Sequence, residues 1–356
     1  MRFSTLLSNL GRSLAIRQPR QWLTVVLLAG LMTSGQAVAK TYKIATVSPD
    51  GLAWMKQLRA GAKEVETLTE GRVKFKIYPG GVQGDDFTVL RKMRIGQLHG
   101  GVVASSSLTR FYPDLQIYSL PLQFRNNEEV DFVRQRMDDT IQQGLRDNGI
   151  ETFHLTETGF AYLLSQKPVS TLEQMQSLKV WVPDGDPIAA RIIESFGVSP
   201  IPLYLTDVLA GLQTGLINAV AVPPLVALAL QWHNHVQFMS DLPLMYTYSM
   251  LALDEKTFAK MDEGDQVIVR EVMNRVFKKI DADNRADNEK AYAALLSQDI
   301  EKVNPDLSGI EAWRTQADQT IRDLVAADEL SQQSVDQLRQ NLGEFRSSSS
   351  ETETGE

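Results

Sequence analysis

The sequence predicts an α/β fold built from two domains, and three observations carry that expectation. Strand-like and helix-like segments alternate from Lys40 onward, the pattern of sheets covered by helices. A chain of 356 residues with 43% hydrophobic and 22% charged side chains has the size and composition of two ordinary globular domains. A charged helical pattern fills residues 257–303, with no proline between Pro243 and Pro305, and a helix of that reach crosses more than one domain.

The first 39 residues stand outside that fold. Arg2, Arg12, Arg17 and Arg20 precede an apolar run at residues 22–32, and Ala37-Val38-Ala39 follows as a small-x-small cleavage site. This reads as a secretory signal peptide cut before Lys40. An uncleaved anchor is the competing reading, but so short a run falls well below the roughly 20 residues that cross a bilayer. The segment holds four arginines and no acid, so its removal moves the formal charge from −8 to −12, which argues against nucleic acid or an anionic membrane surface as a partner. The chain has no cysteine, which excludes disulfides, thiolate metal sites and lipid attachment at a processed cysteine. At the other end, residues 346–356 consist of Arg346 and SSSSETETGE; they lack large apolar side chains and read as a disordered tail.

Between these ends the elements follow in order. TYKIATV (41–47) and VKFKIYP (73–79) are strands, separated by a helix patterned on Trp54, Leu58 and Val65. A helix at 86–95 leads to the apolar strand 101–104, which ends in Ser105, Ser106 and Ser107. Those serines lie where open α/β sheets bind ligands, and they also suit the capping of a helix; both readings stand. A helix at 128–148 precedes the strand ETFHL (151–155). Thr171 and Gln174 have capping-box spacing before the strand LKVWV, and Asp186 with Pro187 opens a helix whose Ile188, Ile192, Ile193 and Phe196 share a face. A helix at 206–215, a strand NAVAV, and an apolar helix after Pro223-Pro224 complete this region.

Catalytic signatures are missing from the sequence. No G-x-S-x-G elbow, P-loop, HExxH or dinucleotide glycine pattern occurs, and GGVQGDD has turn rather than phosphate-loop spacing. His233 and His235 with Asp241 offer too few neighbouring ligands for a metal site. An exported enzyme with a dispersed catalytic dyad remains a rival, since triads are spatial.

Four segments in succession, GDDFTVLRKMRIGQLHGGVV, DLQIYSLPLQFRNNEEV, KPVSTLEQMQSLKVWVP and LYLTDVLAGLQTGLINAV, resemble the solute-binding proteins of tripartite ATP-independent periplasmic (TRAP) transporters, the DctP-like family. The resemblance covers residues 40–342. It implies a two-lobed periplasmic binding protein fold with discontinuous domains, a central ligand cleft and a long helix bracing both lobes. Lobe I would comprise residues 40–158 and about 246–286, and lobe II residues 159–245 and about 287–345. Such proteins capture a small molecule in the periplasm by cleft closure and deliver it to membrane permease subunits, with no cofactor and no chemistry on the solute. The binding protein of an ATP-driven transporter shares the two lobes and is a second rival.

The resemblance also implies where ligand is held. Family members read K-(I/V)-R-V-P on the strand of KVWVP, with the arginine forking onto a carboxylate; here that position is Trp181. A second family arginine falls near Ala161, and the asparagine of D-G-x-E-N-P falls on Val222. Carboxylate-binding groups are thus replaced by apolar ones, and a desolvated carboxylate without a cation costs several kcal/mol. The expected ligand is apolar or aromatic, lined by Trp181, Tyr204, Val222, Phe160, Tyr162, Trp54, Ser106 and Tyr246. The alternative is a cationic or zwitterionic ligand held by the same aromatics with Asp184 or Asp186.

Overall fold

The computed structural model describes residues 39–353; the expected signal peptide lies outside the described residues, apart from Ala39. Its strands and helices interleave as the alternation predicts. β1 (Lys40–Ala45), α1 (Ala53–Leu68), β2 (Val73–Tyr78), α2 (Asp86–Arg94) and β3 (Gly100–Ala104) form a parallel unit. After α3 (Asn127–Asp147) come the short β4 (Ile150–Thr152) and the long β5 (Thr156–Ser165). Then follow α4 (Leu172–Gln176), β6 (Lys179–Pro183), α5 (Pro187–Ser195), β7 (Ser199–Leu203), α6 (Val208–Thr214), β8 (Ala219–Val222), α7 (Pro224–Ala229) and β9 (Phe238–Ser240). The chain ends with β10 (Met245–Asp254), α8 (Glu255–Phe258), α9 (Glu263–Ser297), β11 (Glu301–Val303), α10 (Leu307–Ala326) and α11 (Gln332–Glu353).

The strands hydrogen-bond in the order β2-β1-β3-β10-β5-β8-β6-β7. The halves mirror each other: β2-β1-β3 is parallel with β10 antiparallel beside it, and β7-β6-β8 is parallel with β5 antiparallel beside it. The first half takes its antiparallel strand from far downstream, whereas the second takes the strand that directly precedes β6 in the chain. The edges are blunted, β7 by Pro200 and Pro202 and β2 by Lys74 and Lys76. Helices cover both faces of each half. One core lies under α3 and α11 and another between α1 and α9; beside the second half, one core gathers around Trp313 and one around Trp232.

The junction of the halves is a β-bulge. β5 pairs with β10 on either side of a register shift at Thr247 and Tyr248, opposite Thr158, and then passes to β8 from Tyr162 onward. α9, 35 residues and about 52 Å long, holds this bulge with side chains spaced along one face. Asp281 accepts from the Glu157 amide, Asn284 donates to the Glu157 carbonyl at 2.8 Å, Arg285 reaches the Glu157 carboxylate at 2.8 Å, and Asn288 donates to the Thr158 carbonyl at 2.7 Å. Asn288 also accepts from Leu225 at the start of α7. One helix thus fixes the strand that links the halves.

Two expectations are corrected here. The helical reading of 257–303 as one element breaks at the turn after α8 and ends at β11. The tail is not free from Arg346: α11 runs to Glu353, and the Arg346 guanidinium donates to Glu129 at 2.7 and 2.9 Å and to the Gln123 carbonyl at 2.7 Å, tying it to the first turn of α3. Among the described residues no helix is long and apolar enough to cross a membrane.

Candidate ligand cleft

The carboxyl ends of β3 and β6 face each other across the two halves. On the first side, Asp86 at the start of α2 accepts from the Ala104 amide at 2.9 Å. Its other oxygen is buried without a hydrogen-bond partner. Burial, with Asp85 nearby, pushes this carboxyl up to about 7 against the pull of the Ala104 amide. On the second side, Asp186 caps α5 by accepting from the Ala189 amide at 2.9 Å. Burial raises this carboxyl too, against the Ala189 amide and the Ser106 hydroxyl. The structure therefore gives Asp186 its capping job and sets Ser106 against it.

The two sides touch. Gly185 has φ +81, and the Phe87 ring of α2 lies 3.4 Å from where a β-carbon on Gly185 would stand. Likewise Gly81 meets the Thr206 methyl at 3.9 Å by the same construction, and Ile188 packs against cores of both halves. Arg110 sits over the rings of Phe87 and Phe111, 5.9 and 5.5 Å from their centroids. Among the described residues its guanidinium makes no ion pair, and burial with Arg94 and Arg91 nearby lowers its pKa from the usual arginine value. Sequence reading missed Arg110 and Asp86; the basic residue following SSSLT, just past a strand end, was the available signal.

The aromatic residues separate into groups. Trp181 is half-buried, with its indole Nε1 donating to the Leu203 carbonyl at 3.0 Å and its ring edge-on to Trp232 at 5.3 Å. Tyr162 pairs with Val222 across β5 and β8, and both join Trp181 on the Trp232 core; burial raises the Tyr162 pKa. Tyr162 also meets Tyr292 of α9 edge-on at 5.3 Å. Phe160 belongs to the other group, edge-on to Tyr246 at 5.6 Å beside the α3 core. Tyr204 is 51% exposed at the end of β7, and Asp184 is half-buried with its amide donating to the Leu203 carbonyl.

Three expected wall residues are placed elsewhere or sealed. Tyr246 is 0% exposed: β10 alternation turns it toward α3, where its hydroxyl meets Arg134 at 3.0 Å, so it is core and not cleft surface. Trp54 packs on the core between α1 and α9, away from the Trp232 group. Val222 is only 4% exposed.

The raised Asp86 carboxyl has a consequence for stability. Its folded pKa, about 7, exceeds its ordinary 3.8, so the protonated form favours the fold; that contribution is intact below about pH 4 and lost as pH rises toward 7. Asp86→Asn keeps an acceptor for Ala104 without the charge. Thermal melts should show this substitution stabilising at pH 8 by up to a few kcal/mol and leaving stability unchanged at pH 4; the same change at both pH values would rule out a buried charge as the cause.

Residues 44–328 match the sequence model of DctP, described as bacterial extracellular solute-binding protein, family 7. A solute-binding protein of Roseobacter denitrificans is 22% identical over 248 residues, 68% of this chain and 76% of its own. The sialic acid-binding periplasmic protein SiaP of Vibrio cholerae is 20% identical over 290 residues, covering 80% of this chain and 89% of its own. Among solved structures, the sugar acid binding protein DctPAm of Advenella mimigardefordensis in complex with galactonate superposes with a TM-score of 0.77 at 17% identity, covering 86% of this chain and 98% of that one.

Proposed function

The chain belongs to bacterial extracellular solute-binding protein family 7, a family of receptors rather than enzymes, and on that premise we propose that its solute is apolar or aromatic in bulk. The protein works in the periplasm after removal of its signal peptide, closing on the solute and handing it to TRAP permease subunits. Its lobes are residues 40–158 with about 246–286, and 159–245 with about 287–345, hinged at the β5 bulge.

The observation that carries this reading is the chemistry at the family's three polar positions. The resemblance puts Trp181 and Val222 at two of them and leaves no cation near Ala161 for the third, and the buried carboxyls facing the opposite half are Asp86 and Asp186. A second carboxylate in such surroundings would lack a paired charge and add repulsion. Trp181, Tyr162, Phe160 and Tyr204 supply apolar area instead, at about 25 cal/mol per Å² buried. Ser106 and Asp184 supply the polar rim. A second reading, a cationic or zwitterionic solute, is favoured by the buried, unpartnered oxygens of Asp86 and Asp186. SiaP and DctPAm carry acids by name, and Arg110 is the cation that an acidic solute would have to recruit.

Mass spectrometry of the solute released from purified protein separates these readings. A neutral aromatic compound supports the first and an amine or betaine the second; a dicarboxylate or sialic-acid-like compound overturns both. Trp181→Arg should then weaken that solute at least about tenfold by calorimetry, while Trp181→Phe, which keeps the ring against Trp232, should stay within a few-fold. Equal affinity for both variants and the parent would place Trp181 outside the site.

A further inference from the structure

Away from the cleft, a cavity of about 270 Å³ opens between α10, α11 and the loop before α3, and four arginines line it: Arg125, Arg314, Arg339 and Arg346. Two are neutralised, Arg339 by Asp318 at 3.1 Å and Arg346 by Glu129 at 2.7 Å. The guanidiniums of Arg125 and Arg314 make no ion pair or hydrogen bond among the described residues. Among the described residues Asp318 is the only acid lining the cavity, so its wall carries a net positive charge. Burial, with Arg346 and Arg314 beside it, lowers the pKa of Arg125 from the usual arginine value against the pull of Glu129.

The cavity also lies at a structural junction. The first turns of α10 pack through Trp313 and Ala317 on the second half, while its later Ile321 and Leu324 pack on the first. Leu122, in the cavity wall, donates its amide to Leu244 at 2.8 Å, directly before β10 begins. Planar guanidinium forks converging from three segments suit a ligand with several oxygens, because each fork donates two parallel hydrogen bonds.

We propose that this four-arginine cavity binds a compact, multiply charged oxyanion, either a phosphoryl group or a small polycarboxylate, at a site separate from the solute cleft. The ion bridges the unpaired Arg125 and Arg314 and so ties α10 to the loop that opens α3.

The test uses the full chain in low-salt buffer, with inorganic phosphate and citrate as probes in separate calorimetric titrations and thermal melts. Saturable binding with Kd below about 1 mM is expected for one of the two. Tighter phosphate assigns a phosphoryl ligand, and tighter citrate a polycarboxylate. The double variant Arg125→Gln/Arg314→Gln should lose at least about tenfold in affinity while melting no lower than the parent, since neither guanidinium holds a structural partner. Trp181→Ala, altered only in the cleft and adding no charge there, should keep the anion response. Three results would each overturn the proposal: no saturable binding by either probe, a response matched by sodium chloride at equal ionic strength, or full binding retained in the double variant.

Discussion

Arg134→Met is expected to destabilise the protein by about 3–5 kcal/mol at neutral pH, the scale of an uncompensated buried charge. Arg134 is 6% exposed on α3 and serves four partners. It donates to the Tyr246 hydroxyl at 3.0 Å, to Asp281 at 3.2 Å, to Asp138 at 3.2 Å and to the Leu155 carbonyl at 2.6 Å. Burial opposes its charge, but Tyr246, Asp138 and Asp281 hold its pKa well above the usual value. Asp281 is held below the ordinary carboxylate range, against burial, by the His154 ring and by Arg134. Methionine fills the volume but leaves Asp281 and Asp138, each 17% exposed in its side chain, without their cation. Protonation relieves that defect, so denaturant melts should show a smaller loss at pH 4 than at pH 7.5. By contrast Arg59→Ala removes an exposed pair with Asp50 at 2.9 Å and should cost under about 1 kcal/mol. A loss as small for Arg134→Met would mean the network is not held by its charge.

Gly159→Ala should cost about 2–4 kcal/mol and should also weaken solute binding. Two causes add. Gly159 has φ +119, a conformation that side chains rarely adopt, and a β-carbon there would stand 2.6 Å from Asn288 Nδ2. Asn288 cannot retreat without releasing the Thr158 and Asn284 carbonyls and the Leu225 amide. Because this is where β5 leaves one half for the other, the strain falls on the link that the proposed closure would bend. Small-angle scattering with and without solute would report it: the parent should compact on binding, and the variant less. Gly264→Ala, in the open first turn of α9 with nothing within 4 Å, is the control and should be neutral or slightly stabilising.

Local signals in the sequence were reliable where the physics is local. Thr171 and Gln174 form the capping box that their spacing predicts, Asp186 caps α5, and the charged run before Pro305 is the long α9. Partners distant in sequence were not legible. The alternation MYTYSMLALD marks a strand, yet nothing in it tells that Tyr246 faces α3 rather than a ligand, because that depends on which neighbour β10 pairs with. β7 hides behind two prolines that only an edge strand tolerates. The clamp of Asp281, Asn284, Arg285 and Asn288 reads as an ordinary polar helix face until the bulge it holds is known. The arginine cavity is assembled from three segments, and Arg346 looked like the start of a tail because its partner Glu129 lies on a helix far upstream.

The late arrival of the antiparallel strand beside β3 also sets a clock for the nascent chain. As the polypeptide emerges from its amino end, β1, α1, β2 and β3 are available early, but the strand that covers β3 arrives only with residues 245–254. Until then β3 is an open edge, and the half-sheet has no antiparallel neighbour to close it. The bulge cannot be clamped before α9 has followed. The amino-terminal half-sheet therefore stays unfinished until residues 245–254 have been delivered, and the link between the halves until α9 follows.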